Sequence, residues 1–245
     1  MQVYASSILY HLVGGRNPND DEANFDTLCL ILKSMMIKPR EVAGKSGITI
    51  QIDLAREMQF GELIEQSVCC FCDIHLSQLS PIHTSKYGRF GVGVDRHWVA
   101  EWGGRPVIYL PTTRTIPLTW GTRFKQEIMD VWKGLHEHFG DTETGIKTTE
   151  KIWGTPPATA QEAVENASTL LGRDVLAFLK AFDVDLPADH PDNYYMEREW
   201  RKYAGLPLEL PLREIVVPIV YAERMRAQFP SLGAMIVHLP EADGE

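Results

Sequence analysis

Positive charge, cysteine and long hydrophobic runs are what this sequence of 245 residues has least of. Lys and Arg number 24 against 33 Asp and Glu, for a net charge of −9, so a surface that coats nucleic acid through clustered cations is excluded, although a local cleft for it is not. The four cysteines are Cys29, Cys69, Cys70 and Cys72, and three of them share one apolar run, which is no disulfide framework. They read as reduced thiols of a core. No window approaches the roughly 18 uninterrupted apolar residues of a membrane span, and the opening segment carries no basic stretch followed by an apolar run. A cytoplasmic protein without membrane partners is the expectation. What is present is 44% hydrophobic and 23% charged residues, the profile of a globular chain able to bury a full core as a single domain over 1–245.

The first half reads mainly as sheet. VYASSILYHLVG is a strand with His11 near its end, and ANFDTLCLILKSMMIK predicts a helix from Asn24 to Lys38, stopped by Pro39. GITIQIDL alternates at period two, whereas SVCCFCDI is uniformly apolar and suits an interior strand. A polar connection with His75 and His83 leads to the β-formers of KYGRFGVGVDRHWV and then to RPVIYLP. From about 118 to 185 the period changes to 3.6, with FKQEIMDVWKGLHEHF and ATAQEAVENASTLLGRDVLAFLKAF as helices of an insertion. The strands then resume in YYMEREWRKY and REIVVPIVY, followed by a short helix ERMRAQF and a last strand AMIVHLP.

The segment NYYMEREWRKY, residues 193–203, alternates carboxylates and guanidiniums among aromatics. On a strand, Tyr195, Glu197, Glu199 and Arg201 share one polar face. On a helix, Glu197 and Arg201 would form an i,i+4 surface pair of little consequence. The aromatics and the following REIVVPIVY favour the strand.

Several other residues have plain alternatives. His11 can cap a strand against a backbone carbonyl, and Tyr87 can be a packed turn aromatic. Gly88, Gly91 and Gly93 suit either close backbone approach or bulges, and GRFGVG is no dinucleotide fingerprint, because no strand-to-helix turn follows it. Cys69 and Cys72 with His75 and His83 suggest zinc spacing, but Cys70 and Cys72 point one way on a strand and Cys69 the other, so no metal is expected. His136 and His138 are about 200 degrees apart on a helix and cannot chelate together. Asp73 can line a cleft or cap a turn, and its place after the apolar run favours the turn.

The runs VCCFCDIHLSQL, KYGRFGVGVDRHWVAEWGGRPVIYL, VLAFLKAF, YYMEREWR and EIVVP, taken in order, resemble the AbiGi family of abortive phage-infection proteins, commonly described as the antitoxin half of a bacterial toxin–antitoxin pair. More loosely, an early His strand followed by a helix and a late Glu strand is similar to the ADP-ribosyltransferase superfamily of the His-Tyr-Glu type. That second resemblance implies an α+β fold with a split, mostly antiparallel sheet core, here with a helical insertion. It also implies NAD as substrate. Glu199 would stabilise the positive charge on the ribose as nicotinamide leaves, and Glu197 would orient or deprotonate the acceptor. His11 would hold the adenosine-side ribose, and Tyr87, better placed than Tyr109, would stack on nicotinamide. Arg201 and Arg198 would balance local charge or bind the pyrophosphate.

Arginine-specific transferases carry Arg on the first strand and Ser-Thr-Ser on the next motif strand. Here those places hold His11 and Cys70-Phe71-Cys72, so that target is not carried over. The resemblances therefore imply an ADP-ribosyltransferase of an anti-phage or toxin–antitoxin system acting on a protein, RNA or DNA acceptor, or a non-catalytic antitoxin that binds a cognate toxin. On the enzyme reading, His11, Tyr87 and Glu199 converge on one cleft.

Overall fold

A computed structural model of the chain describes residues 7–15, 17–39, 50–52, 64–79, 81–112, 175–187, 190 and 194–239, with isolated positions between 127 and 162. The chain divides into two compact units: Met1–Arg40 with Val68–Val107 and Ala188–Glu245, and Glu41–Ser67 with Ile108–Pro187. Most of the insertion expected at 118–185 lies outside the described residues.

The first unit is built on a sheet of seven strands, and with its helices it is α+β. In chain order these strands are β1 (Ile8–Leu12), β5 (Val68–Cys72), β6 (Gly91–Asp95), β7 (Arg105–Pro106), β10 (Glu199–Tyr203), β12 (Leu212–Val216) and β13 (Ile236–Val237). Their order across the sheet is β13-β12-β6-β1-β5-β10-β7, antiparallel throughout except for the parallel β12–β13 pair. The uniformly apolar SVCCFCDI is thus an interior strand, as its composition requires.

Helix α1 (Asp21–Ser34) starts earlier than its hydrophobic period suggests, because the Asp20 side chain accepts a hydrogen bond from the Ala23 amide and Asp21 and Glu22 favour the positive end of the helix. It also stops short of Lys38. Met35 takes a left-handed conformation (φ 46°), and β2 (Met36–Ile37) then pairs with β11 (Leu206–Pro207), so Pro39 is not the terminator. Phe25, Leu28 and Leu32 line the buried stripe and join Leu9, Phe71, Val92, Val94 and Ile215 of the sheet, with Met225 of α4 (Ala222–Gln228), in one core. The apolar face of the sheet is therefore the one under α1 and α4.

Two further expectations are corrected. The connection with His83 contains a helix, α2 (Pro81–Tyr87), so Tyr87 ends a helix rather than starting a strand. REIVVPIVY leaves the sheet after Val216, because Pro218 has no amide to donate to a ladder, and Ile219–Tyr221 form a 3-10 turn. RHWVAE forms another short helix, α3 (Arg96–Glu101), with the Asp95 side chain accepting from the His97 amide.

In the second unit β3 (Ile50–Ile52) pairs with β4 (Ile64–Gln66), and β8 (Ile108–Thr112) runs parallel to β9 (Leu179–Asp183). LAFLKAF, read as the end of a helix, is a 3-10 turn over Leu176–Phe178 followed by β9. Pairing along five residues with β8 outweighs a local preference that fits either period.

Candidate functional site

The geometry of the polar cluster follows from cross-strand register. Directly opposed residues share a face, and Glu199 faces Cys72, Cys72 faces Tyr10, Tyr10 faces Gly93, and Gly93 faces Glu214. These five positions form a row across β10, β5, β1, β6 and β12 on the side of the sheet away from the core. Gly93 contributes space. A Cβ there would sit 2.9 Å from Ile8 Cγ2 and 3.0 Å from both Tyr10 Cε1 and Glu214 Cβ. Across it the Tyr10 hydroxyl donates to Glu214 Oε2 at 2.8 Å.

At the other end of the row, Arg201 Nε donates to Glu199 Oε1 at 2.7 Å, and both side chains are buried, at 4% and 5% residue exposure. Two residues apart on one strand, they point the same way and neutralise each other in place. Glu197 takes a different route. Tyr194–Glu197 form a 3-10 turn, and Arg198 adopts a left-handed conformation (φ 45°) before β10 begins at Glu199. The expectation of one strand from Tyr194 to Tyr203, with Glu197 on its polar face, is corrected here: the break at Arg198 ends the alternation. Glu197 is nonetheless turned inward, accepting hydrogen bonds at Oε1 from the Tyr87 hydroxyl and, at 2.8 Å, from Lys86 Nζ.

The outcome is a Glu-Arg-Glu segment with both carboxylates held inside and the guanidinium outside. Arg198 Nη2 lies 3.5 Å from Asp73 Oδ2, Arg96 Nη1 lies 3.7 Å from the same oxygen, and the Asp73 amide donates to the Arg198 carbonyl at 3.2 Å. Asp73, read as a turn cap, is a buried acceptor between two guanidiniums. Lys86, Arg96 and Tyr10 were not singled out by the sequence. Lys86 adjoins Tyr87, and that dyad is the only local signal it offers.

His11 has a separate environment. It is opposite Val92 and two residues from Leu9, both core residues, so it occupies the apolar face of the sheet. Its Nδ1 is 2.8 Å from the Cys70 carbonyl oxygen and its ring lies 5.7 Å from that of Phe71. Burial holds its pKa below the usual histidine value, so Nδ1 is the N–H donor of a neutral ring. The structure brings Tyr87 to Glu197 and Arg201 to Glu199, but places His11 on the opposite face from Glu199.

Burial, reinforced by the Glu197 carboxylate, holds the Tyr87 phenol well above its ordinary pKa, and Glu199 adds to the same effect. Burial likewise raises Tyr10, with help from Glu214. The Cys69 and Cys72 thiols are both pushed up to about 12, chiefly by burial. Cys70 is the exposed thiol of this strand, and Cys69 faces the core, as alternation requires. Among the described residues, no group of three His, Cys, Asp or Glu side chains is placed to hold a metal ion, and no helix is long and apolar enough to cross a membrane.

A sequence profile described as "Putative abortive phage resistance protein AbiGi, antitoxin" matches residues 62–209. That span covers β5, the polar row at Cys72 and Glu199, and the Tyr87, Glu197 and Arg198 positions, and the chain belongs to the AbiGi family. No curated protein and no solved structure matches it.

Proposed function

We propose that this protein is an antitoxin of an abortive-infection system that neutralises a partner toxin by contact rather than by chemistry. One observation carries this reading beyond the family's description: both carboxylates of the Glu-Arg-Glu segment are engaged by internal cations or donors. Glu199 is bound by buried Arg201, and Glu197 by Tyr87 and Lys86. A carboxylate that stabilises a developing ribosyl cation must keep that charge available for the substrate. A guanidinium at 2.7 Å already satisfies Glu199.

The test is co-expression with the product of the neighbouring gene. The antitoxin reading predicts that the partner alone arrests growth, that this chain restores it, and that the two proteins co-purify. Arrest caused by this chain alone would contradict it.

A second reading, ADP-ribosyl transfer from NAD on an ADP-ribosyltransferase-like fold, is favoured by the assembly of Tyr87 with Glu197 and by its electrostatic coupling to Glu199. On that reading Tyr87 stacks on nicotinamide, Arg201 swings from Glu199 to the pyrophosphate, and His11 takes no direct part. Release of nicotinamide from NAD by the purified protein, lost in Glu199→Gln, is the result that would establish it.

A further inference from the structure

The Glu-Arg-Glu segment spends its two acids on the interior and leaves its arginine at the surface. That inversion depends on the left-handed backbone of Arg198, a conformation with a steric cost for any residue with a Cβ. The backbone there is tied down by the bond from the Asp73 amide to the Arg198 carbonyl. Arg96, the first residue of α3, approaches the same carboxylate from another element. Asp73 is at the bottom, with 9% side-chain exposure, while the side chains of Arg198 and Arg96 keep 46% and 37%. Its distances to the two guanidiniums, 3.5 and 3.7 Å, are longer than the 2.7 Å of the buried Arg201–Glu199 pair. Asp73 thus spaces and orients two guanidinium forks whose side chains stay partly exposed. Tyr195 lies on the turn that leads into Arg198 and is 57% exposed.

We propose that Arg96, Arg198 and Tyr195 form the contact surface for the partner protein, and that the partner presents an acidic segment to it. This rests on the antitoxin reading and adds the location and the chemistry of the contact. Arginine and tyrosine dominate the energetics of protein interfaces, because each brings a large rigid contact with polar ends. Guanidinium forks match carboxylates in a planar, bidentate fashion. A nucleic-acid partner fits less well, because two arginines are few for a phosphate backbone.

Fluorescence anisotropy with a labelled short oligoglutamate peptide tests the surface, with a short oligoadenylate RNA as the competing class. Wild type is expected to bind the peptide in preference to the RNA. The double variant Arg96→Glu/Arg198→Glu should weaken peptide binding about tenfold or more, whereas Arg89→Glu, next to Asp21, should leave it unchanged. Arg198→Gly is a second variant, since it removes the guanidinium while suiting the left-handed backbone. It should also weaken binding. Equal binding by wild type and both variants, or preference for RNA, would overturn the proposal.

Co-purification with the neighbouring gene product separates the two claims. Capture by wild type and loss in both variants supports the surface. Capture by all three, with the variants folded, overturns the surface and leaves the antitoxin reading intact. No capture by any of them, while the peptide still discriminates, removes the antitoxin reading and keeps the acidic-segment surface.

Discussion

His11 and Glu199 lie on opposite faces of one sheet. His11 belongs with Leu9 and Val92 over the core, and Glu199 with Cys72 and Tyr10 on the polar side. The separation is a matter of parity: a shift of one residue in either strand would exchange the faces. The polar cluster therefore forms around Glu199, Arg201, Glu197, Tyr87 and Lys86, with His11 outside it.

Arg201→Met should destabilise the fold by about 3–5 kcal/mol, because it leaves Glu199 buried without its guanidinium. The double replacement Glu199→Leu/Arg201→Met should recover most of that loss, since removing both charges also removes both desolvation costs. Urea denaturation of the three proteins measures the difference. Equal stability of Arg201→Met and wild type would show that the pair contributes nothing to folding.

Tyr87→Phe removes one donor from Glu197 and leaves Lys86 in place, so a loss of about 2 kcal/mol is expected. The same contact sets an alkaline limit. Tyr87 and Tyr10 have folded pKa values raised above the ordinary 10.0, so the folded state holds protons that the unfolded state releases. Their contribution is complete below pH 10 and is lost as pH rises beyond it. Melting temperatures above pH 10 should fall less steeply in Tyr87→Phe than in wild type.

The histidine limit has the opposite sense. Burial lowers the folded pKa of His11 below 6.5, so the unfolded state binds the extra proton and stability declines as pH falls below that value. His11→Phe should flatten this acid limb. An unchanged acid limb would mean that other groups control it.

Gly93→Ala should cost about 1–3 kcal/mol, since the added methyl meets Ile8, Tyr10 and Glu214 at once and disturbs the Tyr10–Glu214 bond. Gly103→Ala offers the control. Alanine is strained at its φ of 86°, but the added methyl meets nothing within 4 Å, so this variant reports the backbone cost without a clash.

Much of the sheet was legible because alternation and composition report burial. The apolar SVCCFCDI lies inside, the glycines of GVGVD face the crowded polar row, and Cys69 turns to the core while Cys70 does not. The break at Arg198 was not legible, since an arginine carries no local signal for a left-handed backbone and its reason, the Asp73 amide, is 125 residues away. The same holds for β9, whose sequence fits a helix until β8 supplies a partner. The pairing of Glu199 with Arg201 was implied by their shared strand face. The engagement of Glu197 by Tyr87 and Lys86 needed the fold to bring α2 to the turn before β10.

The most direct measurement is growth rescue by wild type and by Glu199→Gln when each is co-expressed with the neighbouring gene product, with nicotinamide release from NAD assayed on the same purified proteins. If the protein acts by contact, wild type and a folded Glu199→Gln protein rescue equally and neither releases nicotinamide. Rescue and nicotinamide release that are both lost in a folded Glu199→Gln protein would contradict the account and make Glu199 a catalytic residue.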